Sequence, residues 1–213
     1  MHSGGRRERR KAELRARISD AATALFLQRG FDEVSVSEIA EAADVARPTV
    51  FAHFARKEDL LFDRHPEAAE LLIRAIRERS GDITPVRALG DALLGLAAQG
   101  HPLAVISADF APFWRLVAGS RALQARAREL AEKIEAELAR VLGETGAADP
   151  ELTAAFLVAA YRSVHLTAIR RVLAGDAVPD VAAEHTARVR AAFDTVDCLT
   201  SRLPRTEPDR PCS

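Results

Sequence analysis

The side chains best placed to do chemistry are cations crowded at one end of the chain. Arg6, Arg7, Arg9, Arg10, Lys11, Arg15 and Arg17 face only Glu8 and Glu13, a local excess of +5 (seven minus two) in a protein of formal net charge -1. Such a cluster suits phosphate; the plainer reading is a solvated tail. Catalytic patterns are absent. The six histidines are scattered without metal-ligand spacing. There is no nucleophile elbow, no His-Glu-x-x-His and no phosphate-cradling glycine loop. Gly90 and Gly95 fall inside a helical pattern and make no dinucleotide fingerprint. Cys198 and Cys212 match no zinc, redox or disulfide spacing, which fits a reducing cytosol. The residues therefore argue against an enzyme, a metal centre and a bound cofactor.

The elements that must carry these cations read as helices. The chain has 213 residues, enough for a sizeable core, with 48% hydrophobic, 29% charged and only 5% aromatic residues. Strong helix formers dominate, and no β-branched alternating run is long enough for a sheet. The expected fold is all-α with about nine helices. No apolar run approaches the ~20 residues of a membrane span, and no apolar core follows the arginine-rich start as in a secretory signal. A cytoplasmic protein with no membrane partner is expected.

A first helix is expected from about Arg6 to Gln28, with Leu14, Ile18, Ala21, Ala22, Leu25 and Phe26 recurring at threes and fours and Gly30 ending it. Ser35 with Glu38 forms a capping box that opens a short helix, about Val36 to Ala43. Asp44-Val45-Ala46 makes a turn. A second short helix covers about Arg47 to His53, with Pro48 in its first turn. Two short helices joined by a tight turn describe a helix-turn-helix, whose second member enters the major groove. Val50 and Phe54 would face inward, leaving Arg47, Thr49, Ala52 and His53 outward. Lys57-Glu58-Asp59 opens a longer helix to about Arg79, kinked or interrupted at Pro66. Further helices follow from Thr84-Pro85, from Gly119-Ser120, from Asp149-Pro150 to about Leu173, and from Pro179-Asp180 to about Leu203.

From Phe26 to Leu61 the chain resembles the TetR family. The residues that carry the likeness are Arg29-Gly30-Phe31, Ser35 to Ala40, Val45, Pro48-Thr49-Val50-Phe51, His53-Phe54 and Lys57 to Leu61. The resemblance implies an N-terminal three-helix DNA-binding domain over residues 1–62, with a basic arm over 1–11. It implies a ligand-binding and dimerisation domain over 63–203, and 204–213 reads as a disordered tail. It implies a regulator, most often a repressor, released from double-stranded operator DNA by a small, largely apolar inducer, and associated with the nucleoid while bound. Thr49 and His53 stand where family members touch phosphates or base edges, and Lys57 where a lysine touches phosphate. Ser35 and Ser37 open a helix whose amides and hydroxyls can receive phosphate. Arg47, beside Pro48, is the candidate for reading guanine. Three positions depart from the pattern. Asp44 replaces the usual turn glycine, Ala46 the usual hydroxyl cap, and Phe51 the usual tyrosine. A sensor or scaffold of the same fold with impaired DNA binding is the alternative these departures keep open.

The resemblance places the homodimer interface on the last two helices. Val181, His185, Val189, Ala192, Val196, Leu199 and Leu203 form one stripe, and Phe156, Ala159, Ala160, Ser163 and Thr167 another. Either stripe could instead pack within the monomer. The ligand candidates are Phe110, Phe113, Trp114, Tyr161 and His165, the last two on one helix face.

Overall fold

A computed structural model describes residues 3–101 and 104–202. The expected tail, 204–213, and the expected helix end at Leu203 lie outside the described residues. The described chain is all-helical: α1 (Ser3–Arg29), α2 (Val36–Ala42), α3 (Arg47–His53), α4 (His65–Arg77), α5 (Pro85–Ala98), α6 (Ala111–Gly119), α7 (Arg121–Glu144), α8 (Pro150–Ala174) and α9 (Val178–Thr200), with 3-10 turns at Lys57–Leu60 and Ala108–Phe110. It divides into two compact units. Of the described residues, the first comprises 3–65 together with 112–127; the second comprises 66–101, 104–111 and 128–202.

In the first unit, the apolar spacing of α1 meets that of α2 and α3. Ile18, Ala22, Phe26, Ile39, Ala40, Val50, Phe54 and Leu60 form its core. Leu123, from the start of α7, is fully buried among them. Ser35 caps α2: its hydroxyl accepts the Glu38 N–H, and its own N–H donates to the Glu38 carboxylate at 2.8 Å. Arg29 donates to that carboxylate at 2.7 Å. The hydrogen bonds from Ser35 and then Arg29 hold the Glu38 carboxyl at about 2, far below the usual carboxylate range. Helix α2 ends in a six-to-one turn, with Val45 N–H donating to the Ala40 carbonyl and Asp44 N–H to that of Glu41. The residue between must be left-handed, and Asp44 has φ +51°. A side chain there costs about 1–2 kcal/mol against glycine, aspartate being one of the types that bear it. Ala46 then caps α3 with no side-chain hydrogen bond.

Of the two alternatives at Pro66 in the expected Lys57–Arg79 helix, kink or interruption, the chain takes the interruption. The chain makes a 3-10 turn, breaks, and restarts as α4 at His65, ending at Arg77. Pro66 has no N–H to give and its ring excludes a helical carbonyl four residues back, so it fits only in a first turn. Helix α1 starts earlier than expected, at Ser3, so the basic arm is helical where described.

In the second unit, Leu72, Ile76, Leu89, Leu93, Leu138, Val141, Leu157, Val189 and Phe193 make the core. Thr84 and Asp149 cap α5 and α8 as expected, each followed by proline. Gly175, at φ +99°, ends α8 in the left-handed geometry glycine allows. Arg171 then joins Asp176 and Glu184, tying the end of α8 to the start of α9. Helix α8 is long and apolar enough by composition to cross a bilayer, although charged and polar residues interrupt its apolar run. Its Ala154, Leu157, Val164, Ala168 and Ile169 are buried within the unit. Of the α9 stripe, Val181, His185, Val189 and Val196 follow the other alternative and are buried inside this unit, while Leu199 is exposed. Periodicity identified an apolar face, and that face is covered by the chain's own helices. The outward row of α8 is open instead, with Leu152, Phe156 and Leu166 at 37%, 38% and 46% exposure, Ala159 and Ser163 between them.

Between α8 and α9 two buried histidines meet. His165 Nδ1 lies 3.2 Å from His185 Nε2, and the Tyr161 ring stacks on His165 at 5.2 Å. Burial, and then the neighbouring His185, push His165 down to about 3 from 6.5. His185 is lowered by burial and by Arg188.

Two outcomes are expected. The unfolded chain binds a proton below 6.5 that folded His165 refuses, so the second unit loses stability as pH falls from 6.5 towards 3. Near-UV circular dichroism of Tyr161, the single tyrosine, should follow that loss, and His165→Leu should flatten it. In the first unit, Ala46→Ser restores a cap worth about 1 kcal/mol, a rise of roughly 4 °C in the melting followed by Trp114, the single tryptophan.

Candidate nucleic-acid interface

Helix α3 has seven residues and no side-chain cap at its start. It is fixed from below by Val50 and Phe54, each 1% exposed, the inward pair expected from the sequence. It is fixed at its end by a residue that stands out in the sequence only as one of the N-terminal cluster of cations. Arg15 Nη1 donates to the His53 carbonyl at 2.6 Å, and its guanidinium lies 4.1 Å over the Phe54 ring. One cation thus satisfies a carbonyl at the helix C-terminus, where positive charge is favoured, and covers the core beneath it. The two residues are 38 apart in sequence, and no local pattern marks the pairing.

The outward face of α3 carries Arg47, Pro48, Phe51 and Ala52 exposed, with Thr49 and His53 half-buried. Arg47 stacks over Phe51, 5.6 Å from the ring centre. The phenyl ring that stands in the tyrosine position therefore steers the arginine one turn before it. Ser35 is engaged in the capping box, and Ser37 is exposed beside it. Lys57 is half-buried. Its ammonium donates to the Phe31 carbonyl, lies 4.2 Å over the Phe31 ring, and titrates below the ordinary lysine range because of burial.

The segment 112–127 completes this unit. Arg126 pairs with Asp59 at 2.7 Å, both side chains largely buried, while Asp59 also accepts the Arg56 N–H. Ser120 donates to Asp32 at 3.4 Å. An open groove of about 500 Å³ runs between the end of α1 and α6, walled by Phe26, Leu27, Phe31, Asp32, Arg115 and Leu116.

The five ligand candidates fall into two groups. Phe113 and Trp114 lie in the first unit, edge to face at 4.9 Å, with Phe62 beyond. Phe110, Tyr161 and His165 lie in the second unit. Only Tyr161 and His165 are brought together, and His185 joins that pair by closing on His165, which its place in an apolar stripe did not signal.

Comparison with known proteins places this geometry. The sequence model of "Bacterial regulatory proteins, tetR family" matches residues 18–63. The chain is 30% identical over 165 residues to the HTH-type transcriptional regulator TcmR of Streptomyces glaucescens, covering 75% of this chain and 73% of that protein. A TetR-family regulator from Mesorhizobium loti shares the fold at TM-score 0.57 and 20% identity, covering 89% of this chain and 98% of that one. The flavonoid-responsive regulator FrrA shares it at TM-score 0.53 and 22% identity, covering 92% and 100%. The chain belongs to the TetR family of bacterial transcriptional regulators, and is a regulator of transcription, not an enzyme.

Proposed function

We propose that this regulator is a cytoplasmic homodimeric repressor that holds operator DNA through α3 and releases it on binding a small, largely apolar inducer. The observation that carries the reading is the stacked, solvent-facing Arg47 on a helix otherwise fixed to its core. A guanidinium so presented can pair with guanine in the major groove. Thr49, His53 and the exposed Ser37 hydroxyl supply phosphate or base-edge contacts around it. Lys57 holds the loop after α1 through one N–H to the Phe31 carbonyl, and its remaining two donors can serve a phosphate. Dimerisation through the last two helices is supported by the open row of α8, with Leu199 of α9 at 50% exposure. Apolar faces of this kind are covered when two copies associate.

The inducer site is proposed for the second unit, around Phe110, Tyr161 and His165. Tyr161 and His165 put two polar anchors among apolar neighbours, the makeup of small-molecule sites. A relative of the same fold is named flavonoid-responsive. The lever is the segment 112–127, not an unbroken helix from Lys57. Arg126, Ser120 and Leu123 grip the helix-turn-helix unit, and α7 continues from them into the second unit. An inducer preferring another position of that segment shifts the population away from DNA.

The test is binding to the intergenic DNA upstream of its own gene across a salt series. A footprint on a palindrome is expected, weakening with salt, with Arg47→Ala costing about 1–3 kcal/mol and relaxing sequence preference. No sequence-specific binding at low salt would overturn the reading and favour the sensor or scaffold, with the strained Asp44 and uncapped Ala46 as its cause. Arg15→Ala should weaken binding with an unchanged salt slope, because Arg15 secures α3 and touches no phosphate. Amide exchange at residues 51–54 should quicken in that variant.

A further inference from the structure

Helix α1 runs well past the core it serves. Gly5 to Glu13 are all exposed, and core packing begins at Leu14. This projecting length carries Arg6, Arg7, Arg9, Arg10 and Lys11, and among the described residues none of the five has a hydrogen-bond or ion-pair partner. The contrast with Arg15, one turn further on, is sharp, since Arg15 is bound at the end of α3.

Helical spacing fixes where the free cations stand. Arg7, Lys11 and Arg15 are four apart, so they form one row on α1, with Arg6 and Arg10 in the row beside it. Arg15 marks the point where that row meets the C-terminal end of α3. From there Lys11 lies ~6 Å and Arg7 ~12 Å further along the axis, at a rise of ~1.5 Å per residue. The major groove that would hold α3 is ~12 Å wide. A cationic row of that length, starting at the end of α3, is long enough to reach phosphates that border the groove.

We infer that the N-terminal turns of α1 form a second DNA contact, in which Arg7 and Lys11, flanked by Arg6 and Arg10, bind backbone phosphates beside the site read by α3. This rests on the DNA-binding reading above and adds to it. The arm supplies affinity and salt dependence without reading bases, because cations along a row meet phosphates whatever the sequence. Being helical before DNA arrives, it avoids the ordering cost of a disordered tail.

The test uses the full chain and a duplex that the protein selects from a random-sequence pool. The duplex is prepared at the length of the central footprint and again with ~10 base pairs, one helical turn, added at each end. The wild type should bind the longer duplex more tightly. Arg7→Ala with Lys11→Ala should erase that preference and lower the slope of log K against log salt by about 1.8 per arm, two phosphates at ~0.9 each. Sequence preference should be unchanged, as should binding by a control pair in the second unit, Arg87→Ala with Lys133→Ala. Alanine favours helix, so the arm stays folded, and circular dichroism with a glutamine pair at the same positions confirms it. Equal slopes and an equal length preference in wild type and arm variant would overturn this inference while leaving the role of α3 standing. A wild type that selects no sequence and shows no salt dependence would overturn both.

Discussion

A seven-residue helix is too short to hold itself together in water, and α3 lacks even a capping side chain at its start. Everything in the first unit follows from the need to fix it. Val50 and Phe54 insert into a core built from α1 and α2, and the turn before α3 is set by a left-handed Asp44. Arg15 closes the far end by taking the His53 carbonyl and lying over Phe54. The helix is thus rigid because its neighbours are, and its outward side chains are free to act on a partner without also carrying the fold.

Positive charge is divided along the same line. Arg15, Arg29, Lys57 and Arg126 are turned onto carbonyls, aromatic rings and carboxylates of their own unit. Those interactions hold α1, α2, α3 and the segment 112–127 in one body. Arg47 and the cations at the start of α1 are left facing solvent. Composition alone, with a formal net charge of -1, hides this division. It becomes visible once each cation is asked what it touches.

Local signals were legible in the sequence. The Ser35–Glu38 capping box, the Thr84-Pro85 and Asp149-Pro150 helix starts and the inward pair Val50 and Phe54 depend on neighbours within one or two turns, and all appear as expected. What escaped was nonlocal. Arg15 meets His53 across 38 residues, Arg126 meets Asp59 across 67, and Leu123 enters a core whose other buried members all lie between Ile18 and Leu61. The stripe on α9 shows the same limit in another form. Its period identified an apolar face, but whether its own chain or a second copy covers it depends on packing that spacing does not encode. Pro66 was ambiguous for a related reason, since a proline can bend a helix or begin one according to what stands before it.

The central claim is that the outward face of α3, held rigid by the core beneath it, is where this regulator meets DNA. Titration of an isotope-labelled protein with a duplex it has selected, followed by amide and guanidinium resonances, tests this most directly. The earliest and largest changes are expected on Arg47 to His53, with the Arg47 side chain among them and the core positions Ile39, Val50 and Phe54 little moved. Changes confined to the second unit, or a broad loss of signal from the first-unit core without perturbation at Arg47, would contradict it.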